Sequence, residues 1–213
     1  LKSENVDALK KGLVNLERHI NNIKKFSLTP IVAINSFILD TKKEISAVKD
    51  FCKNQKVEVS ESTHWADGGK GAKDLAKKVV KICKNSKKKN FKFLYKDDQS
   101  LWSKVETIAK EIYKASSITA DDNVKKQLKI FEDNGYGKLP VCIAKTQYSF
   151  SVDPKLKGAP SGHEISIREV RLSSGAEFIV VVCGSIMTMP GLPRVPAADK
   201  IRLNKKGDIE GLF

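Results

Sequence analysis

Residues 31 to 59 limit what this chain can become more than any other stretch. Pro30 is followed by Ile31-Val-Ala-Ile34, a short apolar run rich in β-branched residues that ends at Asn35. Such a run reads as a buried strand. Thr41-Lys-Lys-Glu44 is a capping box, in which each residue satisfies a free N–H of the other, so a helix begins there. Ile45, Val48 and Cys52 share one side of that helix, and Val57-Glu-Val59 is the next strand. A strand, helix and strand in one sheet form a crossover, which makes the two strands parallel. Phe37 then lies just beyond the carboxyl end of the first strand. Trp65, expected in a glycine-containing loop, lies beyond the carboxyl end of the second. In open α/β sheets this rim is where ligands sit. Two aromatics there are able to face each other across a flat ligand, and the alternative is that both are ordinary packing residues. Asn35 ends its strand as the Asn of an NKxD motif does, but Ser36 and Phe37 follow it in place of Lys and Asp. It is a candidate for contacting a nucleotide or for holding the Phe37 loop. Asp40 is expected to join Thr41 in capping the helix.

Before this unit, Val6, Leu9, Leu13, Leu16, Ile20 and Ile23 recur at steps of three and four, which predicts an amphipathic helix over residues 4–26. After it, Gly68-Gly69-Lys70-Gly71 leads into a helix carrying Leu75, Val79 and Ile82. Glycines before a helix invite a phosphate reading. The GxxxxGK[ST] spacing is absent here and elsewhere, so Gly68 and Gly69 are candidates only for close backbone approach to a ligand, or for a plain turn. The lysine-rich break at Lys84–Asn90 suggests a domain boundary, with residues 1–88 on one side and 89–213 on the other. Phe91–Tyr95 reads as a short strand. Ser100 caps a helix to about Lys114, and Thr119-Ala-Asp-Asp122 reads as a second capping box whose helix stops at Asn134-Gly135. Pro140–Ala144, residues 164–172 and Phe178–Cys183 read as strands, which makes the second part α/β as well. Lys145 follows the first of these strands, where a functional lysine or a surface lysine fits equally. The tail from Met189 to Pro196 is too proline-rich for helix or central strand.

Charge alone leaves two classes open. The formal net charge is +14, from 39 Lys+Arg against 25 Asp+Glu, as a nucleic-acid binder would have. Yet the lysines are spread over helix faces, with one dense run from Lys84 to Lys92 and few aromatics among them. A solvated lysine surface fits better, and its field suits anionic substrates. A basic, non-catalytic nucleic-acid-binding or interaction module remains the alternative. Cys52, Cys83, Cys142 and Cys183 form no CxxC pair and lie in apolar stretches, so buried free thiols in a reducing, cytoplasmic compartment are expected. His19, His64 and His163 have no metal-ligand spacing, no GxSxG occurs, and neither a catalytic residue nor a metal ligand is nominated. No apolar run is long enough for a bilayer span, and no membrane partner is expected.

The runs VAINSFILDT, STHWADGG and KLPVCIAKTQYSFS, with GAPSGHEISIREVRLSSGAEFIVVVCGSIMTMPGLPRVPAADKI and the terminal GLF, resemble the C-terminal part of formate–tetrahydrofolate ligase (10-formyltetrahydrofolate synthetase) over the whole chain. The resemblance implies the end of a parallel P-loop-NTPase-like sheet followed by a smaller α/β C-terminal domain. It implies a one-carbon ligase: ATP, formate and tetrahydrofolate give 10-formyltetrahydrofolate, ADP and phosphate through formyl phosphate. It assigns Phe37 and Trp65 to the two faces of the folate ring, and leaves Asn35, Gly68, Gly69 and Lys145 as further pocket candidates. ATP and Mg would be held mainly by an N-terminal part carrying the P-loop. Leu1 is the first residue and the only methionines are Met187 and Met189, so such a part is expected to precede this chain. A homo-oligomer, tetramer or dimer, is expected of the full-length protein, and no nucleic acid.

Overall fold

A computed structural model describes residues 3–85, 91–186 and 194–211. The first helix, α1 (Val6–Lys25), starts where the Asn5 side chain accepts from the Ala8 N–H. Strand β1 (Ile31–Asn35), helix α2 (Lys42–Asn54) and strand β2 (Glu58–Ser62) then make the expected crossover. The strands are parallel, in register from Ile31 opposite Glu58 to Asn35 opposite Ser62. The capping box is formed: Thr41 accepts from the Glu44 N–H, and the Glu44 carboxylate accepts from the Thr41 N–H. The expected burial of β1 is not seen. Ile31, Val32 and Ile34 are half-buried and Ala33 is exposed, because among the described residues only β2 flanks this strand.

Helix α3 (His64–Asp67) and a 3-10 turn (Gly68–Ala72) lead to α4 (Lys73–Asn85). Trp65 therefore sits on a one-turn helix rather than in a loop. The buried Ser60 donates to Asp74 at 2.6 Å, and Lys78 bridges Asp74 (2.8 Å) and the Val59 carbonyl (2.7 Å). This joins α4 to β2.

The second layer is a four-stranded sheet in the order β3 (Ser117–Ala120), β5 (Glu164–Ser173), β6 (Phe178–Cys183), β4 (Val141–Ala144). Its outer pairs are parallel and its central pair antiparallel. Helices α5 (Leu101–Glu111) and α6 (Asp122–Asp133) share its core, where Leu101, Val105, Leu128, Ile165, Ile179 and Val181 are buried. A register shift between Ile167 and Glu169 moves the next buried position from the expected alternation to Val170. A two-residue hairpin, β7 (Arg202–Leu203) with β8 (Ile209–Glu210), follows.

Three local expectations are corrected. Phe91–Tyr95 forms no strand, and Phe93 is strongly exposed. The cap of α6 is Asp121, which accepts from the Val124 N–H at 2.8 Å, whereas Thr119 belongs to β3 and its hydroxyl donates to Glu164. Cys52 and Cys183 are buried free thiols, but Cys83 and Cys142 are exposed on the outward faces of α4 and β4. Most of the 84–92 lysine run, with the expected boundary at 88/89, lies outside the described residues, as does the proline-rich run through Pro193.

α1 also reaches the second layer. Arg18 donates to the carbonyls of Ala159 and Pro160 and to the Ser161 hydroxyl, and Asn22 donates to the Ile112 carbonyl. His163 lies nearby, with both ring nitrogens buried and, among the described residues, no group at hydrogen-bonding geometry to either. Burial pushes its imidazole below the usual histidine range. The Phe150 backbone opposes this, while Lys145 and Arg18 push the same way as burial. The unfolded chain then takes up this proton first as pH falls. Stability is expected to drop as pH passes below about 6.5, the unfolded value. Denaturant midpoints measured at about pH 7.5 and pH 5.5 should show that drop in the native chain and a smaller one in His163→Gln. Equal drops would remove His163 as the cause.

Candidate active-site rim

The rim at the carboxyl ends of β1 and β2 is built by two short turns. Beyond Asn35, the Ser36 N–H donates to the Ser62 carbonyl at 2.9 Å, extending the ladder by one bond. The chain then folds back. Asp40 accepts from the Phe37 N–H at 2.8 Å, and the Phe37 carbonyl accepts from the Asp40 N–H at 3.0 Å. Asp40 thus closes the Phe37 turn rather than capping α2, which Thr41 does alone. This is the tight local closure that short Asp side chains favour.

On the other strand, Ser62 is buried and its hydroxyl pairs with His64 Nδ1 at 2.9 Å. Thr63 donates through its hydroxyl to Asp67 at 2.7 Å and through its N–H to the Gly71 carbonyl at 3.2 Å. These bonds hold α3 and present Trp65 toward Phe37. The ring centroids are 6.3 Å apart and the planes are tilted by 57°. Phe37 is 53% exposed and Trp65 73%, so neither ring is a core residue. A flat ring between two others needs roughly 7–8 Å between parallel planes, two carbon contact distances. The centroids stand closer than that and the planes are tilted, so the rings meet each other here and must part and turn to admit a ligand, which their exposure allows.

The other candidates divide. Asn35 is exposed at the last ladder position, and among the described residues its side chain makes no hydrogen bond, so Asp40 rather than Asn35 pins the Phe37 turn. Gly68 has φ +58° and ψ −142°, a conformation that favours glycine, and like Gly69 it has open space where a Cβ would be. Lys145 is not brought to this rim. It follows β4 in the second sheet, over the Tyr113 ring, and donates to the carbonyls of Thr146, Ser149 and Ser151. Burial lowers its pKa, while the nearby Cys183 raises it.

Leu39 and Asp40 of the Phe37 turn also line a groove of about 500 Å³ with Ile34, Glu44, Ile45 and Val48. Both carboxylates in it already accept backbone N–H bonds. The residues that sequence reasoning missed are Asp40 as the turn closure, the Ser62–His64 pair, and Gly71. Only Asp40 carried a signal, a short acidic side chain three residues after Phe37 that can reach back to its N–H.

Comparison with known proteins agrees along the full length. The family model described as formate–tetrahydrofolate ligase matches residues 1–213. A protein named formate–tetrahydrofolate ligase from Pelagibacter ubique (strain HTCC1062) is 62% identical over 213 residues. Proteins of the same name from Ruegeria pomeroyi and Roseobacter denitrificans are 57% and 56% identical over the same span. In each case all of this chain is covered, but it spans only 38% of the relative's length.

Proposed function

The chain belongs to the formate–tetrahydrofolate ligase family, and from that premise we propose that it is the C-terminal portion of such an enzyme and carries its folate platform. In this reading β1 and β2 end a parallel P-loop-NTPase-like sheet, and residues 89–213 are a smaller α/β domain. The reaction couples ATP, formate and tetrahydrofolate to 10-formyltetrahydrofolate, ADP and phosphate. Formate is a poor acyl donor, and phosphorylation gives it a leaving group. The folate amine attacks the formyl carbon, the bond from that carbon to the phosphate oxygen breaks, phosphate departs with the electron pair, and the amine loses a proton.

The supporting observation is the placement of Phe37 and Trp65 at 6.3 Å on one sheet rim, each exposed and each fixed by its own turn. A pterin held between them is dehydrated on both faces, and its amine is oriented for attack. Orientation of this kind lowers a barrier by several kcal/mol. Asn35, Gly68 and Gly69 border the same rim and are proposed to line the pocket. Lys145 is proposed to shape the 146–151 loop through its carbonyl contacts.

ATP and Mg are proposed to be held mainly outside this sequence, which has no GxxxxGK[ST] run to cradle the phosphates. The phosphoryl step needs such a cradle, so it is assigned to the remaining length that the relatives possess. The enzyme is proposed to be cytoplasmic and to assemble as a homo-oligomer. Among the described residues no helix is long and apolar enough to cross a membrane.

The 213-residue chain alone is expected to release no ADP with formate, ATP and tetrahydrofolate present. In a Trp102→Phe background, tetrahydrofolate should still quench the Trp65 emission weakly. Turnover by this chain alone, measured as coupled ADP release, would overturn the division of labour.

A further inference from the structure

The geometry points to Gly71 as a positioning residue for Trp65, an inference that rests on the stacking role proposed for that ring. Helix α3 has four residues, a single turn, too short to fix its own direction. Its direction comes from the 3-10 turn packed against its start. A Cβ built at Gly71 would lie 2.4 Å from the Thr63 carbonyl carbon, 2.6 Å from the His64 nitrogen and 2.6 Å from Thr63 Oγ1. Two of these are backbone atoms, so no rotamer change relieves the clash.

The same backbone contact is bonded, since the Gly71 carbonyl accepts from the Thr63 N–H at 3.2 Å. Thr63 in turn reaches Asp67 at the far end of α3. Glycine at 71 therefore lets the turn close on the residues just before Trp65, and any side chain there forces them apart. Phe37 is held independently by Asp40, so the displacement alters the gap between the rings rather than moving both together. Gly68 and Gly69 play no such part, because a Cβ at either meets nothing within 4 Å.

The test compares Gly71→Ala with Gly12→Ala, an exposed helical position where a Cβ also meets nothing. In the 213-residue chain with Trp102→Phe, Trp65 is the one tryptophan left, and its emission and iodide quenching report its surroundings. Gly71→Ala should change both, and Gly12→Ala neither. In the full-length ligase, Gly71→Ala should raise the KM for tetrahydrofolate by roughly tenfold or more, since misplacing a positioning contact by about 1 Å costs up to a hundredfold. The KM for ATP should stay within about twofold, because the ATP site is elsewhere.

Unchanged emission and unchanged KM in Gly71→Ala, beside a raised KM in Trp65→Ala, would reject Gly71 and leave the stacking intact. Altered emission with unchanged KM in both variants would reject the stacking itself. An equal loss toward ATP and tetrahydrofolate would mark general misfolding and overturn the positioning role. Asp67→Ala loosens the same clasp without added bulk. It should give the same split in milder form even if Gly71→Ala does not fold.

Discussion

Trp65→Ala in the full-length ligase is expected to raise the KM for tetrahydrofolate by about 5- to 150-fold, the equivalent of roughly 1–3 kcal/mol of lost stacking. Phe37→Ala is expected to fall in the same range. Both rings are solvent-exposed tips of short turns, so their removal leaves no cavity in a core and should scarcely alter folding. The loss is therefore specific. The KM for ATP should move by less than about twofold, because uniform loss of activity is not what removal of one substrate's contact produces. The double variant is expected to lose less than the sum of the two, since a ring stacked on one face only is already partly dehydrated. Steady-state kinetics with each substrate varied in turn decides this. Unchanged tetrahydrofolate kinetics in both single variants would remove the sandwich.

Lys104→Ala is expected to be strongly destabilising, although the side chain is polar and lies away from the rim. Lys104 is a fully buried lysine, at 0% exposure on α5. Its ammonium donates to the carbonyls of Gly137 (2.8 Å) and Leu139 (3.0 Å) and lies over the Tyr95 ring. Those bonds tie α5 to the turn between α6 and β4. A second bond, from the Leu101 N–H to Glu132 at 2.7 Å, ties the start of α5 to α6. Burial lowers the lysine's pKa, and the carboxylates of Asp97, Glu132 and Asp98 oppose this. Truncation to alanine removes two hydrogen bonds to a cation and opens a void, a loss of about 2–4 kcal/mol. Lys104→Met keeps most of the volume and should cost about half as much, since packing is retained and only the donors are lost. Denaturant unfolding of the three proteins gives the comparison. A Lys104→Ala midpoint equal to that of the native chain would show that the carbonyls are satisfied without it.

Much of the local structure was legible in the residues because short-range rules act within a few positions. The Thr41–Glu44 box, the Ser100 cap, the Asn134-Gly135 stop and the period of α1 all depend on neighbours in sequence. The parallel pairing of β1 with β2 followed from one crossover. The errors arose where a distant partner decided. Thr119 satisfied the spacing of a cap, but its backbone found a place beside Glu164–Ile167 in the sheet, and Asp121 took the cap. Cys142 lies in an apolar run, yet β4 is an edge strand whose alternate face is open. Lys145 does follow its strand as read, and only the tertiary pairing sets that strand in the second sheet, away from the rim.

What the sequence determined by itself was the family, the crossover, and the delivery of Phe37 and Trp65 to the same rim, because strand direction and connection handedness depend on local chirality and spacing. What only the tertiary structure decided was how far apart the rings stand and what holds them there. Asp40 folding back on Phe37, and Gly71 closing on Thr63, are contacts whose meaning lies in ångström-scale packing. No residue pattern encodes a clearance of that size, because it depends on where two turns end after the strands beneath them have paired.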